Sequence, residues 1–524
     1  MSAKERQPGR QAPLSKEEKR RARWVARWVA RWIVLCAVVI AALAVWVPTW
    51  PVWAAPVVLP VESAELISAA EGMDEIRITA EFDPTEATLA AMQTMHVTNR
   101  TDSELNELVF RSYSGAYLKE ETSPAATDEW HYACYPAGFD AGGLTLQGVR
   151  IDGELVLYSW MDDACTVLNL PLETALQPGE TAEVELAYTV GIPACAGRFG
   201  HDKGIWALGH VFPTLALHQD GAWRMDAVTP VGDPYLSECA NWSVHLTLPE
   251  GYAVAASVYA ESAVADGMQT IVMNGHALRD FALVISDQLT VATAMEGDTM
   301  LAAYARTDAQ AREMVRYLGQ ALRSYEKRYG AYAYPTMTAA AVSLPHSAEA
   351  FSRMIMVSDH YVQSGGQTLE FSIADDAAHQ WWQIMVGSDS WYEPWQHESL
   401  AEWALMDYIG DYYGADSRES AIFSQIETAM RITIPRGVTP ASPIDYFSGQ
   451  AEYTQVVSLR GASLWTAMET MLGRETLEQA LAEYAAKYRF AMVDRAALTA
   501  ILESAAGREL DDLLTDYLDT NINN

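Results

Sequence analysis

Between about residues 70 and 290 the chain alternates apolar and polar positions in short runs broken by turn residues. Asp74 to Phe82, Thr181 to Thr189 and Trp242 to Leu248 each repeat with period two, and Asp152-Gly153 and Pro178-Gly179 punctuate the series. That pattern predicts antiparallel strands, each with one buried face, of an all-β sandwich. Near residue 290 the period changes. Thr307 to Tyr329 predicts a long amphipathic helix, and Thr336 to Leu344 and Met354 to Ser358 predict two short strands. Beyond Thr368 the pattern is helical almost throughout, over roughly 369–386, 396–413, 417–431, 453–472, 475–488, 494–505 and 509–518. No long repeat interrupts this order, so the expected organisation is strands first and a mixed, then helical, part second.

Composition adds to this picture mainly at the N-terminus. At 524 residues, half of them hydrophobic, the chain is long enough for two or three cores. Of its 35 Lys and Arg and 69 Asp and Glu, ten and three lie in residues 1–31, leaving a body with 25 basic and 66 acidic residues. A polyanionic body repels phosphate, so nucleic-acid binding is excluded. The basic start runs into the apolar stretch Trp32 to Val47 and then Pro48 to Trp53. Trp24, Trp28 and Trp32 recur beside Arg23, Arg27 and Arg31, which suits a helix entering a membrane at headgroup level. The expected domains are therefore a basic cytoplasmic tail at 1–31, a transmembrane anchor at 32–55, a β-sandwich at 65–290 and a mixed domain at 291–524. The positive excess puts the N-terminus in the cytoplasm and the body outside. A signal peptide cleaved near Ala54-Ala55 competes with this reading, and the long basic n-region favours the anchor.

Cys36 lies in the apolar stretch, while Cys134, Cys165, Cys195 and Cys239 form an even set in the strand-rich part. An exported location makes these four disulfide candidates, with three pairings open.

Chemistry becomes arguable at Asp375-Asp376-Ala377-Ala378-His379-Gln380-Trp381-Trp382. In a zinc peptidase of the H-E-x-x-H type, residues i and i+4 share a helical face and ligate the metal, and the carboxylate at i+1 takes a proton from metal-bound water. His379 stands at i+4, and Glu398 follows nineteen residues later within Trp395-Gln396-His397-Glu398. His379-Gln380-Trp381 and Trp395-x-x-Glu398 resemble, at the family's own spacing, the gluzincin family of membrane alanyl aminopeptidases. Gly232-Asp-Pro-Tyr, Trp242-Ser-Val, Leu248-Pro249, Arg279-Asp280-Phe281-Ala282 and the run from Gly461 to Asp519 are similar to other parts of that family. The resemblance spans roughly 70–524 and implies an α+β multidomain fold: an anchor, a β-sandwich, and a thermolysin-like domain ending in helices.

Several positions depart from the family pattern. Asp375 stands in place of the first histidine ligand, and Asp376 in place of the general-base glutamate. The segment whose glutamate holds the substrate's amine aligns with Ser347-Ala348-Glu349-Ala350-Phe351, where Glu349 is retained. The catalytic tyrosine aligns with Ser458 in Ser458-Leu459-Arg460-Gly461. The resemblance thus implies a metal set of Asp375, His379 and Glu398, with Asp376 as the base and Glu349 for the amine. Zinc is the implied metal, although an oxygen-rich set also suits other divalent ions. Losing one oxyanion donor alone costs about a hundred- to a thousand-fold in rate. The plain structural readings are that His379 is a packed helix residue, Glu349 a strand-edge carboxylate, Glu402 a salt-bridged or supporting helix residue, and the tryptophans core. Tyr453 is near enough in sequence to stand in part for the missing phenol.

Three functions follow for comparison. The first is a pseudo-aminopeptidase that binds peptides or a protein partner. The second is a working metallo-aminopeptidase using the residues above. The third is a structural cell-surface module.

Overall fold

The computed structural model describes residues 60–127, 130–434 and 437–520, so the expected tail and anchor lie outside the described residues. Among the described residues no helix is long and apolar enough to cross a membrane. The alternating runs form strands. Asp74–Asp83 buries Ile76, Ile78, Ala80 and Phe82 and turns the residues between them outward. It is a central member of an eight-stranded sheet that runs Ser262–Ala265, Met268–Leu278, Ala240–Pro249, Asp74–Asp83, Thr88–Thr98, Thr181–Gly191, Gly143–Ile151 and Glu154–Leu155. All neighbours are antiparallel except Asp74–Asp83 with Ala240–Pro249, which pair in parallel with Asp74 opposite Ala240. Two four-stranded sheets accompany it, one containing Ile205–Leu208 and Leu283–Ser286, the other Leu105–Arg111 and Val167–Leu176.

A five-stranded mixed sheet follows, in the order Thr290–Glu296, Thr299–Ala305, Thr336–Val342, Met354–Ser358 and Ala348–Phe351. Its central strands are buried along their whole length, as parallel strands covered on both faces must be. Helix α1, Asp308–Tyr329, links two of those parallel strands. Thr307 caps it by accepting from the Gln310 N–H, and Lys327 and Arg328 lie in its last turn. Helices α2, Gly366–Ala378, and α3, Trp395–Tyr413, pack on α1 and on each other, and the remaining helices close the chain. The result is an α+β chain with a sheet-built first part and a helical last part.

The helices expected over 369–386, 417–431, 453–472 and 509–518 differ from what forms, the second passing into a π-helical stretch at Ile422–Glu427 and the last at Thr515–Asp519. The one expected over 369–386 ends at Ala378, because the chain turns there to bury Trp381 and Trp382 and passes Gln383 at φ 116, outside helical space. The one expected over 453–472 is interrupted by a π-helical stretch, Thr454–Arg460, before Ala462–Leu472. Trp381, Trp382, Trp395 and Trp403 are core residues. Cys195 and Cys239 are buried and Cys165 is half-buried, and all three are thiols in this structure, which differs from the expected disulfide set. They sit in separate loops: Cys195 near Tyr135, Cys239 near Arg279, and Cys165 against the backbone of Gly115.

Candidate active-site cleft

Helix α2 sets Asp375 and His379 one turn apart with Asp376 beside them, since i and i+4 share a helix face. Helix α3 brings Glu398 in its first turn. The edge strand Ala348–Phe351 brings Glu349, which pairs across to Met356. All five side chains line one cleft of about 260 Å³, together with Arg198, Asp233, His346, Gln383, Glu402 and Ser458.

Glu398 is held by hydroxyls. The Tyr453 phenol donates to its Oε1 at 3.1 Å and the Ser458 hydroxyl to its Oε2 at 3.0 Å. The π-helical stretch Thr454–Arg460 runs between these donors and widens the turn that carries Ser458. Gly461 follows it, where a Cβ would come within 2.9 Å of the Ser399 side chain on α3. Glycine there lets the two elements lie close enough for both hydroxyls to reach Glu398.

Glu349 is also engaged. Arg198 donates through Nη2 to Glu349 Oε1 at 2.6 Å and through Nη1 to Asp233 Oδ1 at 3.1 Å. His346 Nε2 lies 2.5 Å from the same Glu349 oxygen, and the Gln383 amide donates to the other oxygen of Asp233. The guanidinium also stands 4.8 Å from the centre of the Tyr235 ring, a cation–π arrangement.

The electrostatics follow from six carboxyls and one arginine in a buried place. Burial pushes Asp375 up to about 6, Asp233 and Glu398 up to about 7, and Glu402 up to about 8. Asp376 is raised well above the usual range by burial and then by the nearby charges of Asp375, Glu349 and Glu398. Burial works the other way on the imidazoles, lowering His379 and, more strongly, His397. Glu349 is the exception. Burial raises it, but Arg198 and His346 outweigh that and leave it below the ordinary value.

The family resemblance implies zinc on Asp375, His379 and Glu398, and the arrangement can be tested against that. Among the described residues no three His, Cys, Asp or Glu side chains are placed to hold one ion. Glu398, the implied third ligand, has both oxygens engaged by hydroxyl donors. A carboxylate also replaces one imidazole of the usual ligand set. The donors as arranged do not fit zinc.

Four cleft residues, Arg198, Asp233, His346 and Gln383, and the buried His397 beside Glu398 were not singled out from the sequence. Asp233 lay within the quoted Gly232-Asp-Pro-Tyr segment, and His346 and His397 lie three and one residues before Glu349 and Glu398. Arg198 carried no signal, since it stands in an irregular stretch between strands. His397 is 1% exposed; its Nδ1 lies 3.2 Å from the Ser388 hydroxyl, its Nε2 lies 3.7 Å from Glu398, and Nε2 has no hydrogen-bond partner.

Comparison with known proteins agrees with the fold. Residues 322–517 match the peptidase family M1 domain. Aminopeptidase M1-B of Oryza sativa subsp. japonica is 25% identical over 161 residues, 29% of this chain and 18% of its own length. Aminopeptidase N of Lactobacillus delbrueckii subsp. lactis is 22% identical over 408 residues, 72% of this chain and 45% of its own length. The chain thus spans less than half the length of these curated relatives. An M1 zinc metallopeptidase from Deinococcus radiodurans shares the fold at a TM-score of 0.58 and 16% identity, over 85% of this chain and 93% of the other. The same match holds for a form of that enzyme bound to a Tyr-Ser-Ala substrate, at a TM-score of 0.59. The match at 322–517, the relatives and the shared fold support the kinship with the gluzincin aminopeptidase family that the motif around His379 and Glu398 implies.

Proposed function

We propose that the chain is a peptide- or protein-partner-binding relative of the M1 aminopeptidases whose hydrolytic chemistry is lost or vestigial. The observation that carries this reading is Glu398, whose two oxygens are taken by Tyr453 and Ser458 at the position where the family pattern puts a metal ligand. The replacements Asp375, Asp376 and Ser458 point the same way, since they remove an imidazole, shorten a base and delete a phenol together. The cleft remains large enough and polar enough to seat a few residues of a peptide. In this reading the body is a β-sandwich followed by a thermolysin-like domain, held outside the membrane by the anchor at 32–55.

A working metallo-aminopeptidase is the second reading, favoured by the convergence of Asp375, His379 and Glu398 on one cleft. It requires an ion to find an open lone pair on a Glu398 oxygen that already accepts from a hydroxyl. Assay of the purified full chain on aminoacyl-naphthylamides, with Glu398→Ala as control, separates the two. We expect no turnover above the control, alongside saturable binding of unlabelled peptides in competition with a fluorescent one. Turnover that Glu398→Ala abolishes would overturn the proposal, and failure of every peptide to compete would leave a protein partner as the occupant to seek.

A further inference from the structure

Among the described residues the cleft holds one arginine or lysine, Arg198, and it comes from the chain itself. Arg198 leaves the stretch just before strand Phe199–Asp202 in the sheet-built part and reaches Glu349 on the edge strand of the five-stranded sheet. Its side chain is 16% exposed, and those of Asp233 and Glu349 are 17% and 12% exposed. Two carboxylates this far from water need a positive partner, because an unpaired buried charge costs several kcal/mol. The guanidinium satisfies both, and Tyr235 and the Gly232 carbonyl help to fix its place. Any ligand ammonium approaching Glu349 meets Arg198 and His346 already bonded to its Oε1.

We propose that Arg198 is a built-in occupant of a cation site, filling the place between Glu349 and Asp233 that a ligand's ammonium would otherwise take. The proposal rests on the reading of Glu349 as the amine-binding group. Its consequence is specific: the cleft of the natural chain takes peptides without reading their amino terminus. Arg198 is then the residue that sets specificity, and its removal turns the cleft into a receptor for primary ammonium ions.

The test uses leucinamide and N-acetyl-leucinamide, which differ in the ammonium group, and follows thermal unfolding of the full chain. Wild type is expected to respond equally to both. Arg198→Ala is expected to unfold at a lower temperature and to be restored by leucinamide, with an apparent affinity at least tenfold above that of the acetylated compound. Arg198→Met keeps the side chain's bulk without its charge and guards against an alanine variant that does not fold. Adding Glu349→Gln to either variant should abolish the difference, which excludes a remote amine site. Equal response of both Arg198 variants to the two compounds would overturn the proposal. So would a tenfold preference of wild type for leucinamide that Glu349→Gln removes, because Arg198 would then yield its place to the ligand. Peptide binding is read separately with a labelled peptide, free or acetylated at its amino terminus. If no peptide binds any variant while leucinamide still rescues Arg198→Ala, the peptide-binding function fails and the occupied cation site stands.

Discussion

Helix α3 carries two clusters of carboxyls, each with a buried member, and they are treated in opposite ways. Toward its C-terminal end, Asp407 is 1% exposed and accepts from Arg418 at 3.0 Å, Arg474 at 2.7 Å and the Tyr329 hydroxyl at 3.1 Å. Asp411, one turn on, pairs with Arg328, which in turn reaches Glu478, while Arg418 also pairs with Glu469. Three arginines thus serve four carboxyls. Partial burial raises Asp411, but its pairing with Arg328 outweighs that and holds it well below the usual range. Toward the N-terminal end, Glu398 and Glu402 meet no arginine or lysine among the described residues, and burial raises both. One Oε of Glu402 has no hydrogen-bond partner at all. The contrast separates two uses of the same chemistry. Acids matched by arginines knit α3 to its neighbours, whereas unmatched acids are retained at a cost in stability because they face a cleft.

The largest break in this comparison comes from the matched cluster. Arg418→Ala leaves Asp407 to Arg474 and Tyr329, takes the partner from Glu469, and is expected to destabilise the chain by about 1.5–3 kcal/mol, measured by denaturant unfolding at neutral pH. An effect below about 1 kcal/mol would mean that the arginine network is dispensable.

The unmatched cluster should respond with the opposite sign. The folded state keeps the Glu402 proton up to about pH 8, whereas the unfolded chain releases it near the ordinary value of 4.5. The stability this group contributes is therefore present at low pH and is lost as pH rises toward 8. Glu402→Gln cannot ionise, so it should match wild type near pH 4 and exceed it by on the order of 2 kcal/mol at pH 8. A variant less stable than wild type at pH 8 would place Glu402 in the same class as Asp407.

The sequence made much of this arrangement readable, and the particulars show why. Thr307 to Tyr329 was legible because an amphipathic stripe and a capping threonine lie next to each other in the chain. The strand starting at Asp74 was equally plain, but its parallel pairing with Ala240–Pro249 was not, since pairing is set by contacts far apart in sequence. Asp375, His379 and Glu398 were legible through fixed spacing on two helices. The short strand holding Glu349 was too brief to show a period, and the end of α2 at Ala378 depends on where Trp381 and Trp382 find room. Arg198 was invisible for the same reason as the parallel pair: its meaning lies wholly in partners 35 and 151 residues away. The hydroxyl clasp on Glu398 depends on the π-helical stretch, which no periodicity announces.

The most direct test of the account is the metal content of the purified full chain after incubation with zinc and removal of the excess, with Glu398→Ala measured beside it. No stoichiometric metal is expected in either protein, because among the described residues no three His, Cys, Asp or Glu side chains are placed to hold one ion. Close to one zinc per chain, lost in Glu398→Ala, would show that Asp375, His379 and Glu398 close around an ion, and would contradict it.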